Sequence, residues 1–160
     1  MTKKSISVGE KAPDFKLPNQ DGEIISLSHF KGKWLILYFY PRDNTPGCII
    51  EGIEFSSVLR DFEEMNAIVV GVSADSVDSH CSFISKQKLK IALLSDPDKE
   101  MINAYGVWQK KKFMGREFMG IVRSTFLVDP DGKLAFIWPK VSSKGHAAEV
   151  KEKLAELLNK

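Results

Sequence analysis

Cys48 stands where a chain can make a thiol reactive. It follows the apolar run Trp34 to Tyr40, which reads as a buried strand, and then a turn built by Pro41, Asp43, Asn44, Pro46 and Gly47. An amphipathic helix is expected to begin at the cysteine. The first turn of a helix holds N–H groups with no carbonyl of an earlier turn to donate to, and it is the positive end of the helix dipole. A thiol placed there ionises more readily, and the thiolate is the nucleophile. The chemistry offered by this stretch is therefore attack by sulfur.

The residues around Cys48 carry a family resemblance. Pro41-x-x-x-Thr45-x-x-Cys48 resembles the active-site signature of the peroxiredoxins. The longer form, from Tyr40-Pro41-Arg42-Asp43-Asn44-Thr45-Pro46-Gly47-Cys48 to Glu51, is similar to the bacterioferritin-comigratory-protein branch. Further segments agree in the same order: Gly9-Glu10-Lys11-Ala12-Pro13-Asp14-Phe15 near the start, Arg123-Ser124-Thr125-Phe126-Leu127-Val128-Asp129 late in the chain, and Gly145-His146 before the last helix. The resemblance implies a thioredoxin-like fold and a thiol peroxidase. It carries the family's catalytic set to Pro41, Thr45, Cys48 and Arg123, with Glu51 tying the site down rather than acting as a base.

Such an enzyme displaces the O–O bond of a peroxide with a thiolate. A free thiol of pKa ~8.5 is only about 3% ionised at pH 7, so full ionisation gains at most roughly 30-fold. More must come from stabilising the charge on the leaving oxygen. The donors available are the backbone N–H groups of Gly47 and Cys48, the Thr45 hydroxyl and the Arg123 guanidinium. Pro41 and Pro46 lack an N–H and shield the thiolate from water.

Attack leaves a sulfenic acid on Cys48, which must be resolved. The branch often places a resolving cysteine five residues on, where this chain has Ile53, or on the next helix, where it has Ile84. The second cysteine is Cys81. Two readings stay open. In the favoured one, Cys81 is a small buried residue between Val77 and Ile84, and an external thiol (glutathione, thioredoxin or a glutaredoxin) resolves Cys48. In the other, Cys81 substitutes as resolving cysteine, and the helices unwind to bring the Cα atoms within ~7 Å. Two further functions compete. A disulfide reductase is disfavoured by the lack of a C-x-x-C pair. A redox-sensing or chaperone module would show little turnover.

The elements that must position these residues follow from periodicity. Ala12–Leu17 and Glu23–Leu27 read as an N-terminal hairpin extension around the turn Asn19-Gln20-Asp21-Gly22. A helix from Cys48 to about Glu64 buries Phe55, Val58, Leu59 and Phe62 and is interrupted by Gly52, either as a weak point or as a close packing contact. Ala67–Ser73 is a β-branched central strand. A helix with Asp75, Ser76 or Ser79 as cap runs to about Lys88, with Val77, Cys81, Ile84 and Lys88 on one face. A strand at Ile91–Leu94 and a short helix at Lys99–Tyr105 follow. Val107–Gly120 is a basic loop or hairpin arm whose lysines, Lys110 to Lys112, are expected to be solvated. Ile121–Val128 and Lys133–Trp138 form a hairpin on a D-G turn, and the last helix covers about Gly145–Leu158. The order gives an α/β fold with a mixed central sheet between helices.

The chain has 160 residues, 43% hydrophobic and 28% charged, which suits one domain over residues 1–160. Residues 1–10 are polar and expected to be loosely held. A net charge of +2 gives no ground for a nucleic-acid or membrane partner. No apolar run suggests a signal peptide or a membrane span, and the expected compartment is the cytoplasm. His29, His80 and His146 show no metal-ligand spacing, so neither metal nor cofactor is expected. By resemblance the protein is a monomer or weak dimer.

Overall fold

The computed structural model describes residues 6–159. A five-stranded mixed sheet forms its centre, in the order β5-β4-β3-β8-β9. The strands are β3 (Trp34–Phe39), β4 (Ala67–Ser73), β5 (Ala92–Ser95), β8 (Ser124–Val128) and β9 (Leu134–Trp138). β3 and β4 are parallel, as are β4 and β5, whereas β8 runs antiparallel to both β3 and β9. Every residue of β3 after Trp34 is buried. Its side chains alternate between two cores, as the two-residue period of a strand requires. Leu35, Leu37 and Phe39 face one core with Tyr105 and Phe126, and Ile36 and Tyr38 face the other with Phe55, Phe62 and Val150.

The N-terminal hairpin is present but short, β1 (Lys16–Pro18) against β2 (Ile24–Ser26). The expected strand from Ala12 fails because that segment pairs elsewhere. Lys11 bridges Lys133, and the Ala12 N–H donates to Gly132. Gly9 and Glu10 are likewise bonded to Leu134, so the chain from Gly9 is anchored, not loose. Ile6 also packs against the core, and residues 1–5 of the expected loose start lie outside the described residues.

The helix expected from Cys48 to about Glu64 is two, α1 (Pro46–Ser57) and α2 (Leu59–Glu64), and the break falls at Val58 (φ −107°, ψ 12°) rather than at Gly52. The Ser57 hydroxyl donates to the Glu54 carbonyl at 2.7 Å, a local bond that competes with the helical ladder. Gly52 is a packing contact: a Cβ there would lie 3.1 Å from Leu89 Cδ1.

In α3 (Val77–Gln87) the cap is Ser76, whose hydroxyl accepts from the Ser79 N–H. The residues turned inward are His80 and Phe83. α4 is Glu100–Ala104, and α5 (His146–Leu158) buries Ala147, Val150 and Leu154. Residues 107–120 are ordered as a hairpin, β6 (Trp108–Phe113) against β7 (Arg116–Ile121). The expected strand Ile121–Val128 is therefore divided, with Val122 and Arg123 between β7 and β8.

Candidate active site

Cys48 is the third residue of α1 and 1% exposed. β3 delivers the chain to the site, Pro41 makes the bend after it, and Thr45 is the N-cap residue with Pro46 opening the helix. The first helical bond runs from the Ile49 N–H to the Thr45 carbonyl at 2.9 Å, so the N–H groups of Gly47 and Cys48 stand ahead of the ladder. The Thr45 side chain makes no cap bond. Its hydroxyl donates to the Arg42 carbonyl at 2.8 Å. With its proton engaged there, Thr45 offers a ligand lone pairs rather than the donor expected from the sequence.

Arg123 reaches Cys48 from 75 residues along the chain. Its Nη2 donates to Cys48 Sγ at 3.4 Å and its Nη1 to Glu51 Oε1 at 2.6 Å. The guanidinium lies over Gly47, where a Cβ would be 3.0 Å from Nη2. Burial works against its charge, but Glu51 and Cys48 hold the pKa above the ordinary arginine value. Glu51, one helical turn after Cys48, is fully buried. Desolvation pushes its carboxyl up to about 7 against the opposing pull of Arg123. Its second oxygen, Oε2, is buried with no hydrogen-bond partner among the described residues, as is the Tyr38 hydroxyl. Burial, first, and the Glu51 charge, second, raise the Tyr38 pKa well above its ordinary value.

A buried polar network underlies the turn before Cys48, and nothing in the sequence spacing announced it. Asp43 Oδ1 accepts from the Tyr40 hydroxyl at 2.6 Å. Its Oδ2 accepts from Ser79 Oγ at 2.7 Å and lies 2.8 Å from His80 Nδ1. The Asp43 N–H donates to Asp75 Oδ2, which also accepts from Ser73. His80 Nε2 donates to the Leu94 carbonyl at 2.9 Å. Ligand atoms of Asp43, Asp75 and His80 all lie within 4.8 Å of one another. Hydroxyl, N–H and imidazole partners already engage them, so they read as a structural knot between the Cys48 turn and α3. His146 is also buried, with Nε2 2.7 Å from the Thr125 hydroxyl. Burial lowers its pKa below the ordinary value.

Cys81 is exposed, which corrects the expectation of a small buried residue. The face assigned by spacing was rotated: α3 turns His80 inward because Asp43 and Leu94 satisfy its ring, and Cys81, the next residue, points outward. Cys48 and Cys81 are both free thiols. Lys111 departs from expectation as well. It is half-buried, its Nζ donates to the Ile121 carbonyl at 3.0 Å, and the charges of Arg123 and Cys48 act on it.

A mixed α/β sheet that presents a buried cysteine at a helix start to an incoming arginine is the geometry of a reactive-thiol site. Comparisons with known proteins sharpen this. Residues 8–137 match the model of the AhpC/TSA family. The chain is 44% identical over 156 residues to peroxiredoxin Bcp of Bacillus subtilis, covering 98% of this chain and 99% of that protein. It is 47% identical over 146 residues to a putative Bcp peroxiredoxin of Coxiella burnetii, covering 91% and 97%. Among solved structures, a PrxQ mutant of Xylella fastidiosa superposes with a TM-score of 0.91 at 39% identity, covering 97% and 99% of the two chains. The bacterioferritin comigratory protein of Xanthomonas campestris, studied for alkyl peroxide reduction, gives 0.87 at 38%, covering 94% and 98%. The chain belongs to the AhpC/TSA family, within its Bcp-type peroxiredoxins, which are peroxidase oxidoreductases of thioredoxin-like fold. No helix among the described residues is long and apolar enough to cross a membrane.

Proposed function

We propose that Cys48 is the peroxide-reducing thiol, acting on hydrogen peroxide and small organic hydroperoxides in antioxidant defence. The observation that carries this is the Arg123 Nη2 donor 3.4 Å from Cys48 Sγ, at a helix start. The thiolate attacks one peroxide oxygen as the O–O bond breaks. Sulfur loses two electrons and becomes a sulfenic acid, and the other oxygen leaves as hydroxide or alkoxide and takes up a proton. Arg123 and the Gly47 and Cys48 N–H groups stabilise the charge that develops on the oxygens. Thr45, its own proton committed to Arg42, accepts from the peroxide O–H and orients it. Pro41 closes one wall of the site.

An external thiol (glutathione, a glutaredoxin or thioredoxin) then attacks the sulfenic acid, breaking the S–O bond to give a mixed disulfide and water, and a second thiol releases Cys48 as the reductant's disulfide forms. The buried bonds of His80 favour this one-cysteine route, because they fix the segment of α3 that carries Cys81. The exposure of Cys81 favours a second reading in which it resolves Cys48 and thioredoxin reduces the disulfide.

Thiol counting with mass spectrometry, after one equivalent of hydrogen peroxide, separates the readings in wild type and Cys81→Ser. A sulfenic acid on Cys48 in both proteins supports external resolution. Loss of two thiols with a Cys48–Cys81 crosslink, in wild type alone, establishes Cys81 as resolving. An unoxidised Cys48 in both would refute the peroxidase assignment to this residue.

A further inference from the structure

The β6–β7 arm ties a second cation to the backbone two residues before Arg123. Lys111 and Phe118 stand opposite each other on one face of the arm, and Gln109 and Gly120 form the next pair on that face. Gly120 makes a slot: a Cβ there would lie 3.0 Å from Lys111 Cδ and 3.5 Å from the Phe118 ring. The lysine stem fills the slot, and its ammonium donates to the carbonyl of Ile121, two residues before Arg123. Neighbouring Lys110 is exposed and pairs with Glu117 at 3.3 Å. Among the described residues no carboxylate pairs with Lys111. Burial pulls its pKa below the ordinary lysine value, and repulsion from Arg123 adds to this, while the Cys48 charge acts the other way.

Burial and the Arg123 charge both disfavour the Lys111 ammonium, and a nearby anion offsets both. The anions available here are those of the reaction: the thiolate, the leaving oxygen and any anionic reagent at the sulfur. We propose that Lys111 is a positioning cation of the Cys48 site, held in the Gly120 slot so that its field favours anions at the sulfur. It acts through space on groups that Arg123 contacts directly. The proposal rests on Cys48 being the reacting thiol.

The test uses the full chain in a Cys81→Ser background, so that alkylation reports Cys48 alone. Rates of carboxymethylation by iodoacetate, an anion, and carbamidomethylation by neutral iodoacetamide are measured by peptide mass spectrometry at low and high salt. One elementary charge near a partly solvated anion changes such rates by about 3- to 10-fold. Lys111→Met and Lys111→Gln are expected to lower the iodoacetate-to-iodoacetamide ratio by about that factor at low salt. Lys111→Arg should restore it, and high salt should narrow the gap. A general loosening of the arm would change both rates together and leave the ratio alone. A ratio unchanged in both Lys111→Met and Lys111→Gln overturns the inference. Failure of both reagents to modify Cys48 in the parent overturns instead the reading on which it rests.

Discussion

Replacing Glu51 by glutamine removes the one titrating carboxylate buried against Arg123, and its effect on stability depends on pH in a calculable way. The Glu51 carboxyl titrates at about 7 in the folded protein, against 4.5 for an ordinary glutamate. Between those values the native state binds more protons than the unfolded chain, so the stability contributed by this group falls as pH rises. It is fully present below 4.5 and gone above about 7. The interval corresponds to about 3 kcal/mol in total, of which about 2 to 3 kcal/mol is lost between pH 5 and pH 8. Glutamine cannot titrate, and Tyr38 and Arg123, whose pKa values the Glu51 charge raises, titrate above this range in both proteins. The difference in unfolding free energy should therefore shift in favour of Glu51→Gln by about 2 to 3 kcal/mol from pH 5 to pH 8. Urea unfolding followed by tryptophan fluorescence at several pH values measures it. A difference constant to within about 0.5 kcal/mol across that range would refute the assignment of a burial-raised carboxyl to Glu51.

Other perturbations probe the same assembly. Gly47→Ala puts a Cβ 3.0 Å from Arg123 Nη2 and 3.4 Å from Ser143 Oγ, so the guanidinium must move. Steady-state peroxidase kinetics should show kcat/KM down by about 10- to 100-fold, with stability changed by less than about 1 kcal/mol. Arg123→Met removes the donor to Cys48 and is expected to cost about 100- to 1,000-fold in kcat/KM for hydrogen peroxide, measured by stopped-flow. Asp43→Ala leaves the buried His80 ring and the Tyr40 and Ser79 hydroxyls without their acceptor, for a loss of about 3 to 5 kcal/mol in urea unfolding. A loss below about 1 kcal/mol would argue that the knot holds nothing together.

The placement of Cys48 at a helix start was legible because its signals are local: an apolar strand, a run of turn residues and a helix start fall within fifteen residues of one another. The central strands were legible for the same reason, since β3 and β4 are buried on both faces and read as continuous apolar runs. What escaped depends on contacts between distant segments. The inward face of α3 is set by a histidine whose partners lie 37 and 14 residues away, so helical spacing alone turned Cys81 to the wrong side. Lys111 looked like one of three solvated lysines, and only the pairing of β6 with β7 shows that it shares a face with Gly120. The pairing of Arg123 with Cys48 came from resemblance, because no property of an isolated arginine tells which thiol it will meet. The break between α1 and α2 accompanies a serine bonding to the carbonyl three residues back, too weak a signal to outweigh a continuing apolar stripe.

The separation of 75 residues between Cys48 and its guanidinium partner links the completed site to assembly of the sheet. Arg123 reaches the thiol only after β8 has docked along β3, a pairing that closes most of the domain's length into one loop. A nascent chain that has emerged only through α1 has the cysteine and no cation to meet it. The same is true of a partly unfolded chain in which β8 has come away. On the proposed function, peroxide reactivity at Cys48 therefore requires the finished sheet and is lost when the strand detaches.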